Sequence, residues 1–189
     1  HTRYISVTGV QTCALPIYVI KKNPDIKVIT KVGDWDAPKG VDIVRDVASA
    51  EANLDGIYMH SDCVYSEGTV QTLKELGKGA LSGDKGHIFL ASVDSCLSAL
   101  ELMRAKKFDH ASNQPIPDFG VLAADFIEKK IKGEAINPGE IKKDGTLWSP
   151  ARVEKADVGM QLFLSTTPVN SSNMNDERLW GNIEKKNGG

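Results

Sequence analysis

The stretch His87-Ile88-Phe89-Leu90-Ala91-Ser92-Val93-Asp94, with Leu97, Leu100 and Met103 behind it, decides the fold of this chain. A short, near-continuous apolar run rich in β-formers has the character of a strand covered on both faces. The apolar residues after it recur every three positions, which marks one face of a helix. A buried strand running directly into an amphipathic helix is one unit of a parallel sheet, because parallel neighbours need a helical crossover.

The same unit repeats outward in both directions, about every thirty residues. Upstream, Ile26-Lys27-Val28-Ile29-Thr30 follows the turn signal Asn23-Pro24-Asp25. A helix is predicted after Gly33-Asp34-Trp35-Asp36, with Pro38 in its first turn and Val41, Val44 and Val47 on one face. Leu54 to His60 reads as the next strand. The helix after it carries Val70, Leu73 and Leu76 and stops at Gly77 and Gly79. Downstream, Phe108 to Asn113 is a weaker strand, and Phe119, Leu122, Phe126 and Ile127 stripe a helix ending at Gly133. Beyond that the pattern dissolves into Gly, Pro and Lys, with one β-rich piece at Gln161 to Ser165. The tail from Thr166 to Gly189 is polar and turn-rich, and reads equally as an embracing strap or as disorder. The fold class is therefore α/β, a parallel sheet flanked by helices.

Composition sets the outer bounds. The 189 residues suffice for one domain with a core or for two small ones. A net charge of −2 offers no basic footprint for nucleic acid, and no apolar run approaches the ~20 residues of a membrane-spanning helix. The cysteines Cys13, Cys63 and Cys96 show neither metal-ligand spacing nor a CxxC pair. Cys63 and Cys96 are expected as small apolar filler at helix starts. No metal or cofactor is implied.

The first stretch stands apart. Val7 to Ile17 (VTGVQTCALPI) resembles the conceptual translation of a common sequencing-library adaptor. On that reading residues 1–17 are a non-native segment with no packed role, Leu15 and Ile17 included, and the native chain enters at about Tyr18. The alternative is a natural extended segment, since Val, Thr and Ile favour strands.

In open α/β sheets, ligands bind beyond the carboxyl ends of the strands. Those ends carry Trp35, then Ser61 and Asp62, then Asp94, then Asn113 and Gln114. One aromatic face with short polar side chains suits a sugar, whose C–H face packs on a ring and whose hydroxyls both donate and accept. Neither a nucleophile–base pair nor a glycine-rich phosphate loop stands among them, so catalysis is not expected. Each residue also has a plainer reading. Asp62 and Asp94 precede helices, where Asp is a preferred N-cap; for Asp62 capping is the expectation, for Asp94 both roles stay open. Trp35 would equally cover an apolar edge, and Asn113 and Gln114 a turn before Pro115. His60 and His110 lack carboxylates at ligand spacing, so satisfied surface or strand residues are expected there rather than metal ligands.

The landmarks Asn23-Pro24-Asp25-Ile26-Lys27-Val28, Gly33 to Asp36, Asp55 to Asp62, Ile88 to Asp94 and Asn113-Gln114-Pro115 stand in the order and spacing of a known family. The chain resembles the type I periplasmic binding proteins, the ribose- and galactose-binding receptors of ABC sugar importers, from about Tyr18 to Asn182. Thr167-Pro168-Val169-Asn170 and Leu179-Trp180-Gly181-Asn182 are similar to the tails of such receptors. The resemblance implies a two-lobe clamp joined by three crossovers, here incomplete. Residues 18–114 would be most of the second lobe. Residues 115–139 would hold a helix of the missing first lobe, and residues 140–189 a crossover and the tail.

It also implies roles for the site. Trp35 stands where the family stacks an aromatic on the sugar, Asp94 matches the sugar-binding Asp, and Gln114 matches a hinge-proximal Gln beside Asn113. Ser61 stands where many members have Asn, keeping a hydroxyl but losing the amide. Val93 replaces the aromatic often found before the Asp. The implied function is an extracytoplasmic receptor, not an enzyme, that binds a monosaccharide or polyol and delivers it to ABC permease subunits. It would be a monomer, either periplasmic or a cell-surface lipoprotein, its targeting signal lying outside this sequence. The alternative from another class is the effector-binding domain of a LacI-type repressor, which shares the fold.

Overall fold

The structure is a computed structural model that describes residues 2–8 as a strand, residues 21–186, and residue 188. Among the described residues the strands are β1 (Thr2–Thr8), β2 (Ile26–Val32), β3 (Gly56–Met59), β4 (Phe89–Asp94), β5 (His110–Asn113), β6 (Gly139–Ile141), β7 (Ala151–Ala156), β8 (Gly159–Phe163) and β9 (Thr167–Val169). The helices are α1 (Ala37–Ala50), α2 (Asp62–Glu75), α3 (Leu97–Arg104), α4 (Ile116–Ile131) and α5 (Trp180–Lys186). None is long and apolar enough to cross a membrane.

Six strands form a mixed sheet in the order β2-β1-β3-β4-β5-β9, parallel except for β9. The four sequence-predicted strands all lie in it, in parallel, as the strand–helix period requires. Helices α1, α2 and α3 follow β2, β3 and β4. Asp36 caps α1 by accepting from the Lys39 backbone N–H at 2.7 Å, and Pro38 sits in the first turn, where its missing N–H costs nothing. At the end of α2, Gly77 adopts a φ of 70°, and the Lys78 N–H returns to the Leu73 carbonyl. The Lys78 ammonium then reaches the Ala48 carbonyl at 2.6 Å, placing a cation at the C-terminal end of α1.

The core lies where the sheet meets these helices. Val44 and Val47 of α1, Leu73 of α2, and Leu100 and Met103 of α3 bury against Ile57, Met59, Leu90 and Ala111 of the strands. A close approach fixes the spacing of α1 and α2: a Cβ at Gly40 would stand 2.5 Å from the Tyr65 ring.

Three expectations need correction. Residues 1–17 were expected to lie outside the fold, yet Thr2–Thr8 pairs in parallel with β2 on one side and β3 on the other. The order β2-β1-β3 leaves a gap between two strands whose backbone groups need partners, and Tyr4 to Thr8 has the β-branched character to fill it. Leu15 and Ile17 lie outside the described residues. The second correction concerns the region after Gly133, which holds a three-stranded antiparallel sheet, β6-β7-β8, rather than a single β piece. In β7 buried Ala151 and Val153 alternate with charged Arg152 and Glu154, a period of two that the charges disguise. The third concerns Cys63 and Cys96. They are joined as a disulfide with Cα atoms 5.4 Å apart, and Cys63 is exposed rather than core filler.

The tail is a strap. β9 pairs antiparallel with β5, and Pro168 is tolerated because β9 is the sheet edge. Val169 and Leu179 are wholly buried in the main core. Arg104 of α3 donates to the Asn182 side-chain oxygen at 2.7 Å and to Asn175 at 2.9 Å. Gly181 lies flat on the start of α3, where a Cβ would stand 2.5 Å from the Leu97 nitrogen. Helix α4 behaves oppositely. None of its residues is buried, and Phe119, Val121, Ile127 and Ile131 are exposed.

Gly181→Ala tests the strap. The added methyl meets backbone rather than a flexible side chain, so equilibrium urea unfolding should show a loss of roughly 1–3 kcal/mol. An unchanged midpoint would mean the tail does not rest on α3 as described.

Candidate ligand-binding site

All five candidate residues stand at or just beyond the carboxyl ends of strands. Trp35 follows β2, Ser61 follows β3, Asp94 ends β4 and Gln114 follows β5, while Asn113 is the last residue of β5. Because these strands are parallel, all five stand at one end of the sheet. That end includes the place where the chain order reverses, with β1 neighbouring both β2 and β3.

The centre of the group is Asp94. The Ser61 hydroxyl donates to its carboxylate at 2.6 Å, and the Gln114 N–H donates to its backbone carbonyl at 3.2 Å. Its φ is 110° and that of Ser95 is 66°, two consecutive non-glycine residues in left-handed backbone. Such conformations persist only where the surroundings over-determine them. Partial burial raises the Asp94 pKa, and the Ser61 hydrogen bond opposes that rise. Asp94 does not cap α3, whose N-cap position is Cys96, so the capping role left open for it is not the one it plays.

Ser61 is itself buried, at 3% exposure, so its hydroxyl serves Asp94 rather than open solvent. Trp35 is 56% exposed and also has positive φ, at 58°. One strand separates β2 from β3, so the strands that lead to Trp35 and Ser61 lie roughly 10 Å apart. Asn113 is buried at 1% exposure, and its side-chain oxygen accepts from the Trp180 N–H at 3.3 Å. It holds the strap. Gln114 is half-buried and lines the mouth of a cleft of about 610 Å³ between α4 and β8, among Phe119, Leu122, Phe126 and Leu162. That cleft is apolar and contains none of the other candidates.

Asp62 was expected to cap its own helix. Ser61 occupies that N-cap position, and Asp62 turns across to the next unit. Its fully buried carboxylate accepts from the Ser92 hydroxyl at 2.6 Å and from the Ser95 and Cys96 N–H groups, each at 2.9 Å. It therefore satisfies donors at the start of α3 from the first turn of α2. Burial raises its pKa to about 6; these hydrogen bonds hold it down and nearby Asp94 adds to the rise. Only a contact between residues thirty or more apart defines this role, so no local motif could have indicated it. His60 lies edge-on to Tyr58, ring centroids 5.1 Å apart, and burial lowers its pKa. Asp62, Cys63 and Cys96 have their ligand atoms close together, but both sulfurs are committed to the disulfide.

The fold, a mainly parallel sheet flanked by helices, is shared with solved solute-binding proteins of the type I periplasmic kind. No known family profile matches the sequence, and no curated protein does. Solved structures do. A periplasmic solute-binding protein of an ABC transporter from Actinobacillus succinogenes 130z, with bound D-allose, superposes with a TM-score of 0.71 at 14% identity, covering 93% of this chain and 55% of its own. A galactofuranose-binding protein gives 0.70 at 21% identity, covering 98% and 56%. The periplasmic component of the arabinose ABC transporter from Shewanella sp. ANA-3, bound to L-arabinofuranose, gives 0.69 at 17%, covering 98% and 56%. These neighbours are substrate-binding transport proteins, not enzymes. The chain spans about half their length, so the fold is an incomplete form of theirs.

The Asp62 carboxylate makes a pH prediction. Its folded pKa is raised, so the folded state holds a proton that the unfolded state has released between about pH 4 and pH 6. Its stabilising contribution is full below that window and lost above it. Relative to Asp62→Asn, the native chain should lose stability on the order of 2–3 kcal/mol as pH rises from 4 to 7. Urea titrations of both at stepped pH check this, and parallel curves would refute it.

Proposed function

We propose that this chain is part of an extracytoplasmic receptor that binds a monosaccharide or polyol and hands it to an ABC importer. The observation that carries the reading is the Ser61–Asp94 pair at the strand ends. It is a partly exposed carboxylate, fixed by a buried hydroxyl, on a strained turn at the end of the sheet where α/β proteins bind ligands. Asp94 supplies a charged acceptor for sugar hydroxyls, and Trp35 a ring for the sugar's C–H face. Gln114 adds an amide beside Asp94, while Ser61 and Asn113 hold the floor rather than touch the ligand. The solved structures named above bind sugars on the same fold.

Residues 18–114 supply most of the floor in this reading. Helix α4 and the apolar cleft beside it belong against a first lobe, the roof of the clamp, with residues 140–189 carrying a crossover and the tail. The wholly unburied α4 supports this, because an amphipathic stripe of Phe and Ile ordinarily has a partner. Permease subunits would be the macromolecular partners, the receptor itself acting as a monomer outside the cytoplasm.

Calorimetric titration of a full-length two-lobe receptor carrying this second lobe, against a panel of sugars, tests the site. Asp94→Ala should weaken binding by roughly 1.5–3 kcal/mol, the scale of a hydrogen bond to a charged group. Trp35→Ala should weaken it while leaving the unfolding midpoint nearly unchanged, since the ring is mostly exposed. Unchanged affinity in both variants would make these residues structural. In the same protein, amides of residues 116–131 should exchange far more slowly than in the present chain. Equal exchange would remove the roof from the proposal.

A further inference from the structure

The disulfide is a feature that sugar binding does not by itself require. It joins Cys63, in the first turn of α2, to Cys96, the N-cap residue of α3. Cys96 is two residues beyond Asp94, and the Cys63 sulfur lies 3.6 Å from the Asp94 carboxylate. The bridge therefore spans the same two helix starts that Asp62 ties by hydrogen bonds and that Ser61 ties to Asp94. It encloses the left-handed pair Asp94-Ser95, a turn that relaxes unless its flanks are held.

We propose that the Cys63–Cys96 disulfide is a redox-sensitive latch that holds the Asp94–Cys96 turn in its binding geometry. Closed, it fixes the separation of the α2 and α3 starts and so the direction of the Asp94 carboxylate. Opened, it leaves that separation to the hydrogen bonds of Asp62 and the Ser61–Asp94 pair. Cys63 is an exposed residue, which brings its end of the bridge within reach of a soluble dithiol. Exchange breaks the one S–S bond and leaves two cysteine thiols. The dithiol gives up two electrons and two protons and becomes a disulfide. A small-molecule disulfide such as oxidised glutathione closes the latch by the reverse exchange. Persistence of the bridge fits an oxidising compartment. The consequence for ligand affinity rests on the sugar-receptor reading; the latch itself does not.

The test uses the whole chain. After oxidation with glutathione disulfide, thiol alkylation and non-reducing digestion, mass mapping should find the peptides of Cys63 and Cys96 linked. Both cysteines alkylated would overturn the proposal. Hydrogen exchange at the Ser95 and Cys96 amides should speed up by about tenfold or more on treatment with dithiothreitol, and equally in Cys63→Ser. Reduction of the unmutated chain gives this readout even if the variant folds poorly. A linked pair with unchanged exchange would show a bridge that positions nothing, and would also overturn it. In a full-length two-lobe receptor carrying this second lobe, titration with D-allose, D-tagatose and L-arabinose should show tighter binding in the oxidised form. Faster exchange on reduction, with no binding of any sugar by that two-lobe receptor in either form, would uphold the latch and count against the sugar-receptor reading.

Discussion

A buried carboxylate holds together the end of the sheet where the candidate site lies. Asp62 leaves the first turn of one helix and satisfies the opening N–H groups of the next, with the Ser92 hydroxyl completing its coordination. A helix start carries unsatisfied donors and the positive end of the helix dipole, so an anion there is favoured twice over. The cost is desolvation, which appears as the raised pKa. Because the accepting side chain and the donating N–H groups belong to adjacent units, this tie helps to set the spacing between α2 and α3, which the disulfide also spans. Asp94, Ser95 and the disulfide all sit inside the frame it makes.

The rest of the site inherits its geometry from that frame. Ser61 is buried at the head of α2 and Asp94 ends β4, so their hydrogen bond depends on how far apart the two units stand. The strap depends on it as well, because Gly181 lies against the start of α3 and donates its N–H to the Ser95 carbonyl. Trp35 is the exception. It rides on the β2–α1 connection, exposed and away from the tie, and its placement answers to the Asp36 cap and the close contact between Gly40 and Tyr65.

Helix α4 and the small sheet show where local consistency stops being enough. α4 is well formed, with Asp118 in its first turn and Lys129 and Lys130 in its last, matching the dipole at both ends. Yet its apolar stripe meets little beyond the apolar cleft beside β8. The stripe stays largely exposed in a chain about half the length of the structures that share its fold.

The sequence alone determined the alternation of strands and helices, because apolar periodicity is a local property that each segment carries by itself. It also determined which residues reach the strand ends, since a parallel sheet sends every strand the same way. Tertiary structure decided the rest. Whether Asp62 capped its own helix or the next, whether Cys63 and Cys96 filled the core or joined, and whether the tail was strap or disorder all turned on contacts between residues about thirty to eighty positions apart. The place of Thr2–Thr8 was decided in the same way. An adaptor-like origin argued against any packed role, but the gap between β2 and β3 offers unpaired backbone groups to any segment able to extend beside them. Backbone pairing does not read side-chain history, and no local pattern could show that the gap was there.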